Sequence, residues 1–119
     1  MGMSADGLNR RVRIERRQIG TDDWNQPLEW WEAVATVWAN IKGQTGLGSI
    51  TRAQEGVAAS VDAYSVRIRY REGLDAGMRV RRVVNGVPDG PPFDIRQVRM
   101  DYERREWTDL ICEVGGSNG

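Results

Sequence analysis

The sequence has no histidine, one cysteine (Cys112), one phenylalanine (Phe93) and one lysine (Lys42). The missing imidazole removes the usual general base, so no Ser-His-Asp or Cys-His machinery can be assembled. A Cys/His zinc site is excluded for the same reason. A lone cysteine forbids an intrachain disulfide, and the fold needs no oxidising compartment. Formal charge of one sign is also lacking: 17 basic residues stand against 17 acidic ones. A neutral chain is not a polybasic nucleic-acid binder, whose affinity needs surplus cations facing phosphate. Nor is it an acidic disordered tail. Long hydrophobic runs are absent. The most apolar stretch, Ala33 to Ala39, falls far short of the roughly 20 residues that span a bilayer. No apolar h-region follows Met1, so no signal peptide is expected, and no membrane partner. The default expectation is a soluble cytoplasmic protein. No metal or cofactor is implied.

What is present is modest in size and rich in arginine. The 119 residues suit one domain, and a chain of this length buries roughly 65% of its unfolded surface. The basic residues are arginines except for Lys42, a bias typical of GC-rich coding rather than of bidentate recognition. Residues 1–7 and 115–119 are small and polar and are expected to be flexible. Between them lies a single domain, 8–114, whose dominant period is two, the mark of half-buried strands.

Val12 and Ile14 alternate with charge over Arg11–Arg16. The segment Gly20–Pro27 reads as a loop. Leu28–Ile41 is ambiguous, because Trp30, Val34, Val37, Trp38 and Ile41 also fit helical spacing. The β-formers favour a strand over Ala35–Ile41, entered through Trp30 and Trp31 irregularly or by one helical turn. Residues 43–60 break the pattern. Thr51 and Gln54 could form a capping box, but the helix is only about nine residues and marginal alone. This segment is expected to be a long, partly helical or disordered insertion loop. Tyr64, Val66, Ile68 and Tyr70 then alternate with Ser65, Arg67, Arg69 and Arg71. Glu72–Gly77 is a turn, and Met78 and Val80 begin the next strand. Asn85-Gly86 is a hairpin signal, although Pro88 to Pro92 suggest a connection longer than two residues. Phe93 and Ile95 start another strand, Asp101–Arg105 reverses the chain, and Trp107–Val114 is the last strand. The class is all-β: a small β-barrel or sandwich of about six antiparallel strands.

Candidate sites are few. Gly43, Gly46 and Gly48 lack the flanking strand and lysine of a phosphate loop and fit a hinge better. Asp22 with Asp23, Asp101 with Glu103, and Asp75 lie in expected turns, where carboxylates are solvated rather than tuned for acid–base work. Arg67, Arg69 and Arg71 share one strand face, and Arg79 and Arg81 share the outer face of the next, with Arg96 a further candidate. They form either a patch facing DNA or an acidic partner, or a solvated face with acids across from it. Five tryptophans are many for this length. Trp38 and Trp107 fit core or barrel-end positions, and at least three of the five are expected in the core. Trp24 and Trp30 sit beside a loop and are candidate interface residues. Cys112 alternates with Leu110 and Val114 as a small buried hydrophobe.

The segments Gly7–Arg16, Trp31–Ile41, Arg67–Arg71, Met78–Val80, Phe93–Ile95 and Trp107–Glu113, in this order and spacing, resemble the head–tail adaptor (head–tail joining, stopper or head completion) family of tailed phages and prophages. The resemblance runs from about Gly7 to Val114. It implies a small β-barrel with a long insertion loop. It implies a ring, dodecameric in the virion and monomeric when free, beneath the portal and adaptor proteins. The ring would carry double-stranded DNA through its channel and receive the tail or a tail-completion protein. The loop would help close the channel, through Gln44, Thr45, Gly46, Leu47, Gly48, Ser49, Ile50, Arg52, Gln54 and Glu55. Pro88–Pro92 departs from the family pattern. Two alternatives remain: a tail-completion or terminator ring protein, and a small nucleic-acid-binding β-barrel that uses Arg67, Arg69, Arg71 and Arg79 with Tyr70.

Overall fold

The computed structural model describes residues 7–44 and 62–114. Six strands follow in chain order: β1 (Arg10–Thr21), β2 (Pro27–Gln44), β3 (Asp62–Arg69), β4 (Arg79–Val84), β5 (Val87–Met100) and β6 (Trp107–Val114). All pairings are antiparallel, and the order β1-β2-β3-β6-β5-β4 closes into a barrel. Barrel rather than sandwich is therefore the architecture: each strand has a neighbour on both sides for part of its length, while stretches such as Arg16–Thr21 of β1 pair on one side alone. Alternation explains the interior. Val12, Ile14, Val66, Ile68, Val80, Ile95, Leu110 and Cys112 are all at most 1% exposed. Tyr64 meets Phe93 edge-on, with ring centroids 5.1 Å apart.

The ends of the barrel differ. Gly7 and Leu8, the last residues of β2 and the first of β3 lie at one end, since Arg10 pairs with Ala39 and Asp62 with Val114. Leu8 is buried there, and Asn40 donates to the Gly7 carbonyl at 3.0 Å. At the other end Leu74 and Met78 fill the mouth. Thr108 Oγ1 fastens the segment after β3: it accepts from the Arg71 N–H at 2.9 Å and donates to the Arg71 carbonyl at 3.1 Å.

Several sequence expectations are corrected. β2 is continuous from Pro27, so Trp30 and Trp31 are strand residues rather than an irregular or helical lead-in. Ile14 pairs with Ala35 but Glu15 with Ala33. Val34 is thus an extra residue, and this bulge scrambles the period that would have revealed the strand. The expected loop 20–27 shrinks to a turn organised by Asp22, whose Oδ1 accepts from the N–H groups of Trp24 and Gln26, both at 2.9 Å. The β4–β5 connection is not long. Asn85 and Gly86, at φ 54° and 80°, make a two-residue turn between Val84 and Val87. The Pro88–Pro92 stretch lies inside β5. Val80 pairs with Phe93 but Arg82 with Asp89, so β5 holds two residues more than β4 between these pairs. The bulge accommodates prolines that have no N–H for the ladder. The core also holds fewer tryptophans than expected: all five are exposed or half-exposed. β2 runs through Gly43 and Gln44, so the interruption begins later than residue 43. Of the candidate loop residues, Thr45 through Glu55 lie outside the described residues, as does the candidate helix at Thr51 and Gln54.

Candidate functional site

Beyond Glu15, β1 and β2 leave the barrel together as a two-stranded arm. Its pairs run from Arg16 with Glu32 to Thr21 with Pro27. Pairs directly opposite share a face. Arg16, Gln18, Leu28, Trp30 and Glu32 therefore line one side, and Arg17, Ile19, Glu29 and Trp31 the other. Both sides meet solvent: Ile19 is 70%, Trp24 83% and Trp30 46% exposed. Diagonal contacts stiffen the ribbon. Arg17 pairs with Glu29, and Gln18 donates to Glu32 at 2.6 Å. Trp30 lies across Gly20, where an added Cβ would meet the indole at 3.3 Å. Arg16 reaches the Gly73 carbonyl at 3.4 Å and so ties the arm to the barrel mouth.

The arginine rows stand largely opposite acids. Arg67 forms a two-point bond to Asp109, at 2.8 and 3.1 Å. That hydrogen bond, with the nearby carboxylate charges, raises its pKa further against some desolvation. Arg67 and Arg69 also lie over Trp107, 5.2 and 5.9 Å from the ring centroid. Arg79 bonds Glu15 at 2.6 Å, and Arg81 donates to the Gly90 carbonyl at 3.0 Å. Arg82 pairs with Asp89 and Arg96 with Glu113. Arg71 falls just beyond β3, so it extends the chain past the row formed by Arg67 and Arg69. The outer wall is thus a lattice of cross-strand ion pairs rather than a uniform cationic face.

Two of the acids expected in turns, Asp22 and Asp101, organise them. Asp101 accepts from the N–H groups of Arg104 and Glu106, both at 3.2 Å, as Asp22 does in its own turn. Among the described residues no cluster of three or more His, Cys, Asp or Glu could hold a metal ion. Burial, with a smaller contribution from the Asp94 charge, pushes the Cys112 thiol up to about 12. Tyr70, hydrogen-bonded to Glu72 at 2.8 Å, is also raised, first by that bond.

Sequence reasoning missed Glu15. It is 6% exposed although its strand neighbours suggested a solvated charge. The sequence pattern did not mark it, because the bulge at Val34 shows only in the register of β1 against β2. A cleft beside the N-terminal half of β1 was also missed. It is lined by Arg10, Arg11, Arg13, Trp38, Arg82 and the β4–β5 turn.

The model of the phage head completion protein family matches residues 3–115. The chain belongs to that family. A phage head completion protein is a structural component of the virion at the head–tail region, and this one builds that role on a closed six-stranded barrel. Protein SF1141 from Shigella flexneri 2a, solved in solution, shares the fold with a TM-score of 0.67 at 21% identity, covering 98% of this chain and 99% of that one. A chain of the virion of a native gene transfer agent particle aligns with a TM-score of 0.57 at 14% identity, covering 89% and 93%. No curated protein sequence matches.

Proposed function

We propose that this head completion protein forms a ring at the head–tail junction, below the portal and its adaptor, and offers the surface on which the tail docks. Passing DNA would occupy the ring's channel. The family match over residues 3–115 carries this reading. Likeness to a chain from a gene transfer agent virion supports it. The architecture suits such a role. The edges within the barrel are used in closing it, so contacts fall to side chains and to the projecting arm, whose outer edges are unpaired. Assembly begins with monomers in the host cytoplasm and ends in a ring of twelve in the virion. The segment around Gln44, Thr45, Gly46, Leu47, Gly48, Ser49, Ile50, Arg52, Gln54 and Glu55 narrows the channel and helps retain packaged DNA.

Electron microscopy of lysates from a phage or induced prophage lacking this gene tests the reading. Filled heads and finished tails that fail to join, restored by the gene in trans, are expected. Normal joined particles would overturn it.

A further inference from the structure

Two surfaces of the molecule match each other and cannot meet within one copy. The first is the tip of the β1–β2 arm. From Gln18 to Ile41 the sequence has four acids, Asp22, Asp23, Glu29 and Glu32, and no base. Glu29 and Glu32 are engaged within the arm, whereas Asp23 makes no ion pair among the described residues and stands beside Trp24, 83% exposed. The second surface is the cleft lined by Arg10, Arg11, Arg13, Trp38, Arg82 and Val84. Arg10 has no carboxylate partner among the described residues, and Arg11 lies over Trp38, 5.1 Å from its centroid. Trp38 and Val84 are 42% and 49% exposed. One surface is anionic with an aromatic head; the other is cationic with an apolar floor.

Both belong to the same hairpin. Arg11 pairs with Trp38 and Thr21 with Pro27. The ten-residue rise along β1 puts the tip roughly 33 Å from the cleft. A continuous paired ribbon cannot fold back over that distance, so the cleft is within reach only of another molecule's arm.

We propose that the arm tip of one copy, Asp23 and Trp24 foremost, seats in the arginine-lined cleft of the next copy and joins copies head to tail. The occupant is a second copy of this chain. The contact is heterologous, using different patches on the two sides, which is the kind that closes into rings. Charge complementarity sets its direction and register. This rests on the ring reading above and adds which surfaces make the ring.

The test uses the full chain in assembled particles. Asp23→Cys and Arg10→Cys sit on exposed residues, and the native Cys112 is buried. After mild oxidation of purified particles carrying both changes, electrophoresis without reductant should show a ladder of covalent multimers of this chain, and each single variant only monomer. A double variant that stays monomeric in particles holding the protein overturns the arm–cleft contact and leaves the ring reading standing. A crosslink to a different virion protein overturns it equally. Absence of the wild-type protein from purified joined particles overturns both. As a second arm, Asp23→Arg and Arg10→Glu should each cut joined particles at least tenfold, and the two changes in one chain should restore them. Wild-type yields from both single variants would overturn the proposal.

Discussion

Arg79 on β4 donates from Nε to Glu15 Oε1 on β1 at 2.6 Å, at the seam where these strands close the barrel. The same guanidinium lies 4.1 Å from the centroid of Trp31. Trp31 reaches this position because the extra residue at Val34 shifts the phase of β2. The bulge, the buried acid and the stacked cation therefore form one unit that joins the base of the arm to the barrel. Arg79→Ala leaves a nearly buried carboxylate with only the longer contact to Arg13, at 3.8 Å, and should cost about 2 kcal/mol, less than a fully buried pair because the side chains keep some solvent. Arg79→Lys keeps the charge but loses the flat stacking surface and should recover only part of the loss. Urea unfolding of both variants measures this, and equal stability of Arg79→Ala and wild type would refute the assignment.

Thr108 satisfies both backbone groups of Arg71 with one hydroxyl, at 0% exposure. Thr108→Val keeps the shape and removes both bonds, for an expected loss of about 1–2 kcal/mol. The Arg71 amide should lose hydrogen-exchange protection, whereas Thr108→Ser should keep it. Unchanged exchange at Arg71 in Thr108→Val would show that the hydroxyl does not hold this segment.

Strands with one wet face were legible in the sequence, and the arm was not. Val12 and Ile14, Val66 and Ile68, and Leu110 and Cys112 alternate because one face of each strand is core. Residues 28–33 meet solvent or half-meet it on both faces, so burial imposes no period there, and the bulge at Val34 interrupts what pattern remains. Tryptophan is usually read as core, which hid Trp24 and Trp30 as projecting residues of the arm. Pro88, Pro91 and Pro92 look like a loop because proline cannot serve a regular ladder; β5 carries Pro88 opposite Val83 beside the turn and takes Pro91 and Pro92 in the bulge. The arginine rows were visible as rows, but their partners Asp109, Glu15 and Glu113 came from strands whose register could not be known beforehand.

The β4–β5 hairpin provides a backbone test. Gly86 has φ +80° with nothing within 4 Å of an added Cβ, so Gly86→Ala isolates left-handed strain and should cost about 1 kcal/mol. Gly90 also has positive φ, but there an added Cβ would meet Arg82 Nη2 at 2.9 Å. Gly90→Ala should therefore also displace Arg82 from Asp89 and make the Asp89→Asn change nearly silent in that background. Full additivity of the two changes in urea unfolding would count against this coupling.

Cys112 makes stability depend on alkaline pH. Its thiol ionises at about 12 in the fold, against an ordinary value of 9.0. Folded chains hold this proton more tightly than unfolded ones, so its stabilisation is complete below the unfolded value and is lost as pH rises toward the folded one. By pH 10.5 the loss should reach about 2 kcal/mol. Cys112→Ala lacks this term, so the stability gap between wild type and variant should narrow from pH 8 to pH 10.5. A constant gap would mean that the thiol is not held neutral by burial. Iodoacetamide at pH 8 should label wild type only as fast as it unfolds.

The ion-paired outer wall bears on DNA binding. Arg67, Arg79, Arg82 and Arg96 each face a carboxylate, and a phosphate would have to displace that partner while meeting its negative charge. Free protein should therefore bind duplex or single-stranded DNA no more tightly than micromolar near 0.15 M salt, with a shallow salt slope, since few counterions are released. Asp109→Asn frees one arginine and should raise both affinity and slope, by about one phosphate contact. A filter-binding titration decides. Submicromolar binding by wild type with a steep slope would mean that the arginine rows read phosphate despite their partners, and the channel role would then include a direct grip on DNA.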